Sequence, residues 1–560
     1  MTRGLALRIF RYFNLEQTQA TLDFVDVDVK KDTPLFISPK ALTMLPSDFG
    51  DECVHLIQNF FHKILELINA RRNAEAESLL GVLREPNETH LGLSKGSKSR
   101  GRALGEGSAH EVWSALSESE AAQSGLLEDL EDTVLMIEGI SIDIISDITT
   151  NIIREPLVRY TQRMCEYYCI RLQPGVKSGP LWSSKDERWY QKFVSLPIAD
   201  GEKLLLVPKV IVRNHLLYDS GEYFRYFVLT HLQKVELDAN SALVQIIKKG
   251  KKDERKRVTK KSIIEKYKGK STISRVTKTY PQILSKYRDQ KNTEKHLPLT
   301  LDDIASIEGS ASPDWDRLIA KLLDCKPGTA DADIYEKATE GLLTALMYPN
   351  LTNPIVQHEI HDRRKRIDIT YTNMAINGFF QWAAKHYPAP HVFVECKNYT
   401  RDLGNPELDQ LAGRFSPSRG KIGLIVCRGF ENKDLFIERC RDTAKDDRGF
   451  IVPLDDRDLR HLVAERESNP LYSDFSIDTG SIRKTARLAT QSHRQIVVLA
   501  RRQFDGLAAQ HRQRPRDARA RGVRHDHVVD VAALRGDEWR EKSLFVFLSA
   551  RGDLLRVADI

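Results

Sequence analysis

Apolar residues in the C-terminal half of the chain follow two alternating patterns. Short, mostly continuous apolar runs predict buried strands, and segments with helical apolar spacing lie between them. This alternation is typical of a mainly parallel sheet that is covered by helices on both faces. The predicted strands are 366–373, 391–399, 421–428 and 449–456, and the predicted helices are 331–349, 405–415, 432–445 and 457–466.

The N-terminal part is more mixed and predicts one or two α+β domains of unknown role over residues 1–240. Alternating apolar and polar positions at 22–38 predict a half-buried strand, and the apolar run 203–213 predicts another. Asp143 and Asp147 lie one helical turn apart and could bind a metal, although a solvated helix edge is the favoured interpretation. The predicted helices are 51–72, 128–172 with a break at Pro156, and 221–236.

The composition is that of a globular protein. Of the 560 residues, 41% are hydrophobic and 29% are charged, which excludes a wholly disordered, fibrous or disulfide-stapled chain. The seven cysteines include no CxxC pair and so do not indicate structural zinc. We find no apolar run of about 18 residues and no signal-peptide pattern, so we expect a cytoplasmic protein without a membrane partner.

Positive charge is concentrated in two segments. The chain has a net charge of +7, whereas residues 248–270 alone carry +9 and residues 480–560 carry +8. The remainder is therefore acidic, and this distribution favours nucleic-acid binding more than the total does. The arginine-rich segment 480–560 could be a nucleic-acid-binding tail or a segment of different origin, and we expect poor order over roughly 480–530.

The first basic segment belongs to a module, residues 241–300, with a helix-turn-helix pattern. The helical KKSIIEKY (260–267) is followed by the turn KGK and by STISRVTKTY (271–280), which Pro281 should end. Such a second helix can enter the major groove of DNA; the alternative is a solvated helical hairpin that bridges two domains. Residues 301–330 are predicted to be a linker with a helix. The expected DNA contacts are Ser271 (also the expected N-cap), Thr272, Arg275 and Lys278, together with Lys260 and Lys261.

Acidic and basic residues meet where two predicted strands end. Glu395 and Lys397 lie on one face of their strand, and Cys396 lies on the opposite face, where we expect it in the core. If the Asp368 strand pairs with this one, Asp368 and Glu395 can share a divalent cation. Carboxylates suit Mg²⁺, and the lysine can orient or deprotonate an attacking water, as phosphodiester hydrolysis requires. The alternative is a surface salt bridge at a strand end.

This constellation resembles the PD-(D/E)XK nuclease superfamily, specifically its Mrr-like restriction-endonuclease branch, over residues 331–463. The matching positions are Tyr335–Glu336 ahead of Gly341, the Asp368 strand, VECKNY with Glu395 and Lys397, Gln410, and GLIVCRGF at 423–430. The chain departs from the family in two ways. No proline precedes Asp368, and Glu395 follows Asp368 by 27 positions, so residues 374–390 must form an inserted element.

The resemblance implies a restriction-endonuclease-like α/β sheet domain over residues 331–466. It implies that Asp368 and Glu395 bind the metal, that Glu336 completes the metal site, and that Lys397 is the catalytic lysine. Gln410 would lie near the site or the substrate.

The sequence therefore predicts a multidomain α/β protein that cuts DNA with Mg²⁺ or Mn²⁺ and serves in restriction or anti-phage defence, and a homo-oligomer is compatible with it. Two alternatives remain open. One is a DNA-binding regulator whose nuclease-like domain is not catalytic, and the other is a nuclease that acts on RNA.

Overall fold

The chain is a mixed α/β protein with a five-stranded sheet in its C-terminal half. The structure is a computed structural model that describes residues 7–92, 116, 130, 132–137, 140–215, 217–249, 253–267, 269–293, 297–360, 365–468, 544–548 and 554–559. The described residues up to 468 belong to one compact unit, and those from 544 onwards belong to a second.

The N-terminal part consists of helices with several two-stranded antiparallel ladders, which pair β1 with β8, β2 with β5, β3 with β4 and β6 with β7. The strands are β1 (Phe36–Ile37), β2 (Gln173–Lys177), β3 (Leu181–Ser183), β4 (Arg188–Tyr190), β5 (Phe193–Leu196), β6 (Ile198–Ala199), β7 (Glu202–Lys203) and β8 (Val212–Arg213). The helices are α1 (Ile9–Tyr12), α2 (Pro39–Thr43), α3 (Asp48–Asn69), α4 (Asn73–Leu80), α5 (Asp132–Met136), α6 (Ile142–Ile152), α7 (Arg154–Tyr167), α8 (Ser220–Glu222) and α9 (Leu229–Asp238), with a π-helix (Tyr223–Val228) between the last two and 3-10 turns at Gln19–Thr21, Asn87–Thr89 and Lys209–Ile211.

The helices predicted at 51–72 and 221–236 are confirmed, but the strands predicted at 22–38 and 203–213 are wrong apart from β1, β7 and β8. The alternation at 22–38 implied a solvated polar face, whereas Asp23, Asp26 and Asp28 are buried. Residues distant along the chain bond to this segment: the Tyr160 hydroxyl donates to Asp23 at 2.7 Å, and the Asp26 backbone N–H donates to Glu308 at 3.1 Å. Burial of the polar positions removes the solvated face that the prediction required.

The break predicted at Pro156 lies elsewhere. α6 ends at Ile152 and α7 begins at Arg154, so Pro156 lies in the first turn of α7. A proline is tolerated there because the first turn of a helix has no intrahelical acceptor for the missing N–H.

The basic module contains a hairpin, β9 (Gln245–Lys249) and β10 (Asp253–Arg257), followed by α10 (Lys260–Lys266), α11 (Gly269–Thr279) and α12 (Gln282–Thr293). The two helices around the KGK turn are confirmed. Ser271 is not an N-cap because α11 begins two residues earlier, and Thr272 is buried, so it is not a surface contact. The following segment forms two helices, α13 (Leu301–Glu308) and α14 (Trp315–Leu323).

The C-terminal sheet has the strand order β11-β12-β13-β14-β15. Only β13, β14 and β15 are parallel, whereas β11 and β12 are antiparallel to their neighbours, so the prediction of a mainly parallel sheet is corrected to a mixed one. The strands are β11 (Leu351–Ile360), β12 (Lys365–Asn373), β13 (His391–Lys397), β14 (Ile422–Cys427) and β15 (Phe450–Asp455). The helices are α15 (Ala332–Met347), α16 (Gly378–His386), α17 (Asn405–Ala412), α18 (Lys433–Lys445) and α19 (Asp456–Ser468).

Each face of this sheet packs against its own helices. Phe393 and Ile425 pack with side chains of α17 and α18, such as Leu408 and Phe436. Val392, Val394 and Val426 belong to the larger core, to which α15 and α19 contribute. The insert at 374–390 forms the predicted element, α16.

Buried residues between Ile9 and Val463 belong to one larger core, so the N-terminal part packs directly against the sheet. The backbone N–H of Asn353, in β11, donates to the Asp23 carboxylate at 2.7 Å. The domain boundaries at 240, 300 and 330 do not correspond to gaps in this core and stay predictions.

Two strands near the C-terminus, β16 (Leu544–Leu548) and β17 (Leu554–Asp559), form an antiparallel hairpin. The segment predicted to be poorly ordered, 480–530, lies outside the described residues. Among the helices that the structure describes, none has the length and apolar character to cross a membrane.

Candidate active site

The paired strands β12 and β13 separate at the two acidic residues. Their register joins Ile369 to Val394 and ends there, so Asp368 and Glu395 begin the unpaired part. Asp368 Oδ2 accepts a hydrogen bond from the backbone N–H of Cys396 at 2.8 Å. This bond links the two strands just beyond their last paired residues. The carboxylate of Asp368 is thereby held beside the backbone that carries Glu395.

Glu395 is fully buried and is held through one of its oxygens. Its Oε2 accepts from Lys397 Nζ at 3.0 Å and from Gln410 Nε2 at 3.0 Å. Lys397 Nζ also donates to Gln410 Oε1 at 3.3 Å, so each of the three side chains is hydrogen-bonded to the other two. Glu395 and Lys397 share a strand face as predicted, and α17 supplies Gln410 to hold them.

The other oxygen, Glu395 Oε1, is buried and accepts no hydrogen bond among the described residues. The Arg414 Nε lies 3.8 Å away, which is too long for a hydrogen bond. A buried carboxylate oxygen without a donor is costly in a protein interior. Mg²⁺ is commonly bound by one or two carboxylates together with waters and substrate phosphate, so the Asp368–Glu395 pair fits such an ion.

Glu336, on α15, approaches this pair but has another partner. Its Oε1 accepts a short hydrogen bond from the Gln357 side chain of β11. Burial raises the pKa of Glu336 to about 7, Gln357 opposes the rise, and the nearby charge of Asp368 adds to it. Within the described residues no three His, Cys, Asp or Glu side chains are placed to hold a metal ion. The predicted three-carboxylate set is therefore not assembled, and Glu336 lies beside the pair.

The charges at the site oppose one another. Burial and then the Asp368 charge raise the pKa of Glu395, whereas the Lys397 ammonium lowers it. Burial lowers the pKa of Lys397, but Glu395 together with Asp368 and Tyr399 offsets this effect, so its pKa lies above the ordinary value. Burial, with Asp368 and Glu336, raises the pKa of Cys396, which keeps this half-buried thiol protonated and unreactive.

The predicted DNA contacts belong to helices other than those that form this site. Lys260 and Lys261 begin α10 with exposed side chains. Arg275 and Lys278 are exposed on α11, which packs against α5, α12 and the π-helix rather than against the sheet.

Sequence reasoning missed Arg414 at the active site. Arg414 follows Gln410 by four residues, and the intervening Gly413 keeps helical backbone angles, so both side chains share one face. This spacing was the available signal.

Sequence reasoning also misjudged Asp147, which was assigned to a solvated helix edge. Asp147 is 4% exposed, and its Oδ2 accepts no hydrogen bond among the described residues. Burial and the charges of Asp143, Glu85 and Asp32 raise its pKa to about 9. We call Asp32, Glu85, Asp143 and Asp147 the N-terminal acidic cluster.

Comparison with known proteins gives one match. A family model described as a domain of unknown function (DUF8370) matches residues 14–219, which is less than half of the chain and does not include the site. No curated protein and no solved structure matches the chain.

Proposed function

We propose that this protein is a Mg²⁺-dependent endonuclease that hydrolyses phosphodiester bonds of DNA, with a restriction-endonuclease-like domain built on β11–β15. The observation that carries the proposal is the Glu395 carboxylate. It is buried, its Oε2 is held by Lys397 and Gln410, its Oε1 is unpartnered among the described residues, and Asp368 is fixed next to it. A surface salt bridge would not bury the pair or leave one oxygen without a donor.

Each side chain has a chemical task in this proposal. Asp368 and Glu395 hold the metal, which when bound lowers the pKa of water and neutralises phosphate charge. Lys397 keeps its ammonium proton at neutral pH because Glu395 stabilises it, so it orients the attacking water and stabilises the charge that develops on the phosphate. Gln410 keeps both Glu395 and Lys397 in place through two hydrogen bonds.

The charge distribution supports DNA as the substrate. The basic segment 248–270 carries +9, and the exposed Arg275 and Lys278 follow it on α11. Contacts from such groups to phosphates provide affinity that falls steeply with salt. A role in defence against foreign DNA is part of the proposal and rests on the resemblance alone.

The test incubates the purified full chain with supercoiled plasmid, linear phage DNA and a structured RNA, each with Mg²⁺ or with EDTA. We expect cleavage of DNA with Mg²⁺ only. Cleavage of RNA in preference to DNA would replace the substrate in this proposal. DNA binding without cleavage, under any divalent metal, would favour a regulator with a non-catalytic domain.

A further inference from the structure

Arg414 is placed at the active site by the same helix face that supplies Gln410. Its backbone N–H donates to the Leu411 carbonyl at 2.9 Å, and its own carbonyl accepts from Arg419 Nη2 at 3.2 Å. The backbone of Arg414 is thus fixed on both sides. Gln410 and Arg414 approach different oxygens of one carboxylate, Gln410 at Glu395 Oε2 and Arg414 near Oε1.

The guanidinium of Arg414 does not form the carboxylate hydrogen bond that the guanidinium groups of neighbouring arginines form. Arg401 and Arg448 each donate a 2.7 Å hydrogen bond to a carboxylate of α17, Glu407 and Asp409 respectively. Arg414 comes only to 3.8 Å from Glu395, and its Nε is buried without a hydrogen-bond partner among the described residues. Its side chain is only 14% exposed, so this charge has lost most of its water.

A guanidinium has five N–H donors in a planar fork that matches the oxygens of a phosphate. Hydrogen bonds that join two charged groups are about twice as strong as neutral ones, and most so where water is excluded. A desolvated arginine with unused donors, beside the catalytic carboxylate, is therefore suited to an anion that arrives with the substrate.

We propose that Arg414 is a substrate-binding residue, whose guanidinium holds a DNA phosphate at the site formed by Asp368, Glu395 and Lys397. This inference rests on the proposed function. It explains why the residue approaches Glu395 without bonding to it: a tight ion pair would use the donors that the phosphate needs. Glu395 lowers the cost of keeping the buried charge until the phosphate binds.

The experiment measures binding of a fluorescent 30-base-pair DNA duplex to the full chain by anisotropy, in EDTA, from 50 to 300 mM salt. We expect Arg414→Ala to raise Kd about tenfold, the loss of one charged hydrogen-bonded contact. The slope of log Kd against log salt should fall by about 1. Arg414→Lys should keep the slope while recovering only part of the affinity, because lysine keeps the charge but lacks the fork.

The matched control is Arg448→Ala, which removes an exposed arginine paired with the same helix, and it should bind DNA as the wild type does. A thermal unfolding midpoint for each variant separates binding from folding. In Mg²⁺, Arg414→Ala should raise KM more than it lowers kcat. If the wild type cuts DNA and Arg414→Ala has the same Kd and KM as Arg448→Ala, this inference is overturned, whereas the proposed function is not. A wild type that neither binds nor cuts DNA would overturn the proposed function itself.

Discussion

Two groups of acidic residues in this molecule each contain one buried carboxylate, Glu395 and Asp147, and the two carboxylates differ in the charges that act on their pKa values. At the candidate active site, Lys397 and Arg414 lie beside Glu395, and the amide of Gln410 completes the set. In the N-terminal acidic cluster, no lysine or arginine of the described part of the chain opposes the raised pKa of Asp147. Each group nevertheless contains one buried carboxylate oxygen without a hydrogen bond among the described residues.

Under the proposed function, acidic residues form a catalytic centre only where neighbouring cations oppose the rise in their pKa values. In the N-terminal acidic cluster, burial and mutual repulsion raise the pKa of Asp147 to about 9 and that of Asp32 to about 7. Asp147 is therefore mostly protonated at physiological pH, which makes it a poor ligand for a cation. At the candidate active site, burial and Asp368 likewise raise the pKa of Glu395, but there the Lys397 ammonium and Arg414 oppose the rise.

The largest effect that we expect is a difference in cleavage rate between two variants, each with one substitution in one of the two groups. Asp368→Asn should lower the initial rate of plasmid cleavage roughly 10³-fold or more, because an amide is a poor metal ligand and the metal contributes several kcal/mol. Asp147→Asn should leave the rate unchanged, because the residue it replaces is already neutral. The comparison fails if Asp147→Asn reduces cleavage as much as Asp368→Asn does.

The second prediction concerns stability against pH. The folded-state pKa of Asp147 lies near 9, whereas an unfolded aspartate titrates near 3.8, so the folded state holds an extra proton between these values. The stabilisation from that proton is complete below pH 3.8 and is lost as the pH rises through 9. The free energy of unfolding should fall by up to about 1.4 kcal/mol for each pH unit in this window.

Urea unfolding of the wild type at pH 6, 7.5 and 9 measures this effect. Asp147→Asn should flatten the dependence, with Asp32 and Asp143 left as the remaining titrating neighbours. Substitution of the exposed Asp434 by asparagine is the control and should preserve the wild-type slope. A wild-type stability that rises from pH 6 to pH 9 would contradict the buried, protonated state of Asp147.

Strands of the C-terminal sheet could be predicted because the apolar side chains of each strand are enough to identify it. Val392, Val394, Ile425 and Val426 are buried on whichever face they point to, so an apolar run suffices to identify the strand. The sequence left open whether the Asp368 strand pairs with the Glu395 strand, and in the structure the two are neighbours in the sheet. Glu336 was predicted to complete the metal site, whereas in the structure it accepts a hydrogen bond from Gln357 of β11, a contact that no local pattern indicates.

Elements whose polar groups depend on distant partners could not be predicted. The segment 22–38 looks like a half-solvated strand, yet Asp26 pairs through its backbone with Glu308, 282 residues away. Asp147 looks like a residue on a solvated helix edge, yet it is buried, and part of the rise in its pKa comes from Asp32 and Glu85, which are distant along the chain. Period and spacing describe the element itself and contain no information about what covers it.

A third, smaller effect tests how the active site is held. Gln410→Ala removes the donor to Glu395 Oε2 and the acceptor for Lys397 Nζ. We expect kcat to fall about tenfold, as for one lost charged hydrogen bond, with little change in stability because Gln410 is exposed. Asp409→Ala, at the adjacent exposed position, is the control. A normal kcat for Gln410→Ala would show that Lys397 is positioned without this amide.

The smallest effect concerns the basic module. Arg275→Ala removes one exposed charge of α11 and should weaken duplex binding a few-fold at 100 mM salt, with a lower salt slope. Thr272 is buried, so its replacement should instead lower stability. DNA affinity that is indifferent to Arg275→Ala, Lys278→Ala and Lys260→Ala would remove this module from the DNA-binding surface.

The central claim is that the buried Glu395 carboxylate is a metal-binding group of a DNA-cutting site, and the rate of plasmid cleavage against Mg²⁺ concentration tests it most directly. The comparison is between the wild type and Glu395→Gln, which keeps the size of the side chain and an acceptor for Lys397. We predict a Mg²⁺-dependent rate in the wild type and at least about a 10³-fold loss in the variant at every Mg²⁺ concentration. Cleavage by Glu395→Gln at the wild-type rate would contradict the account.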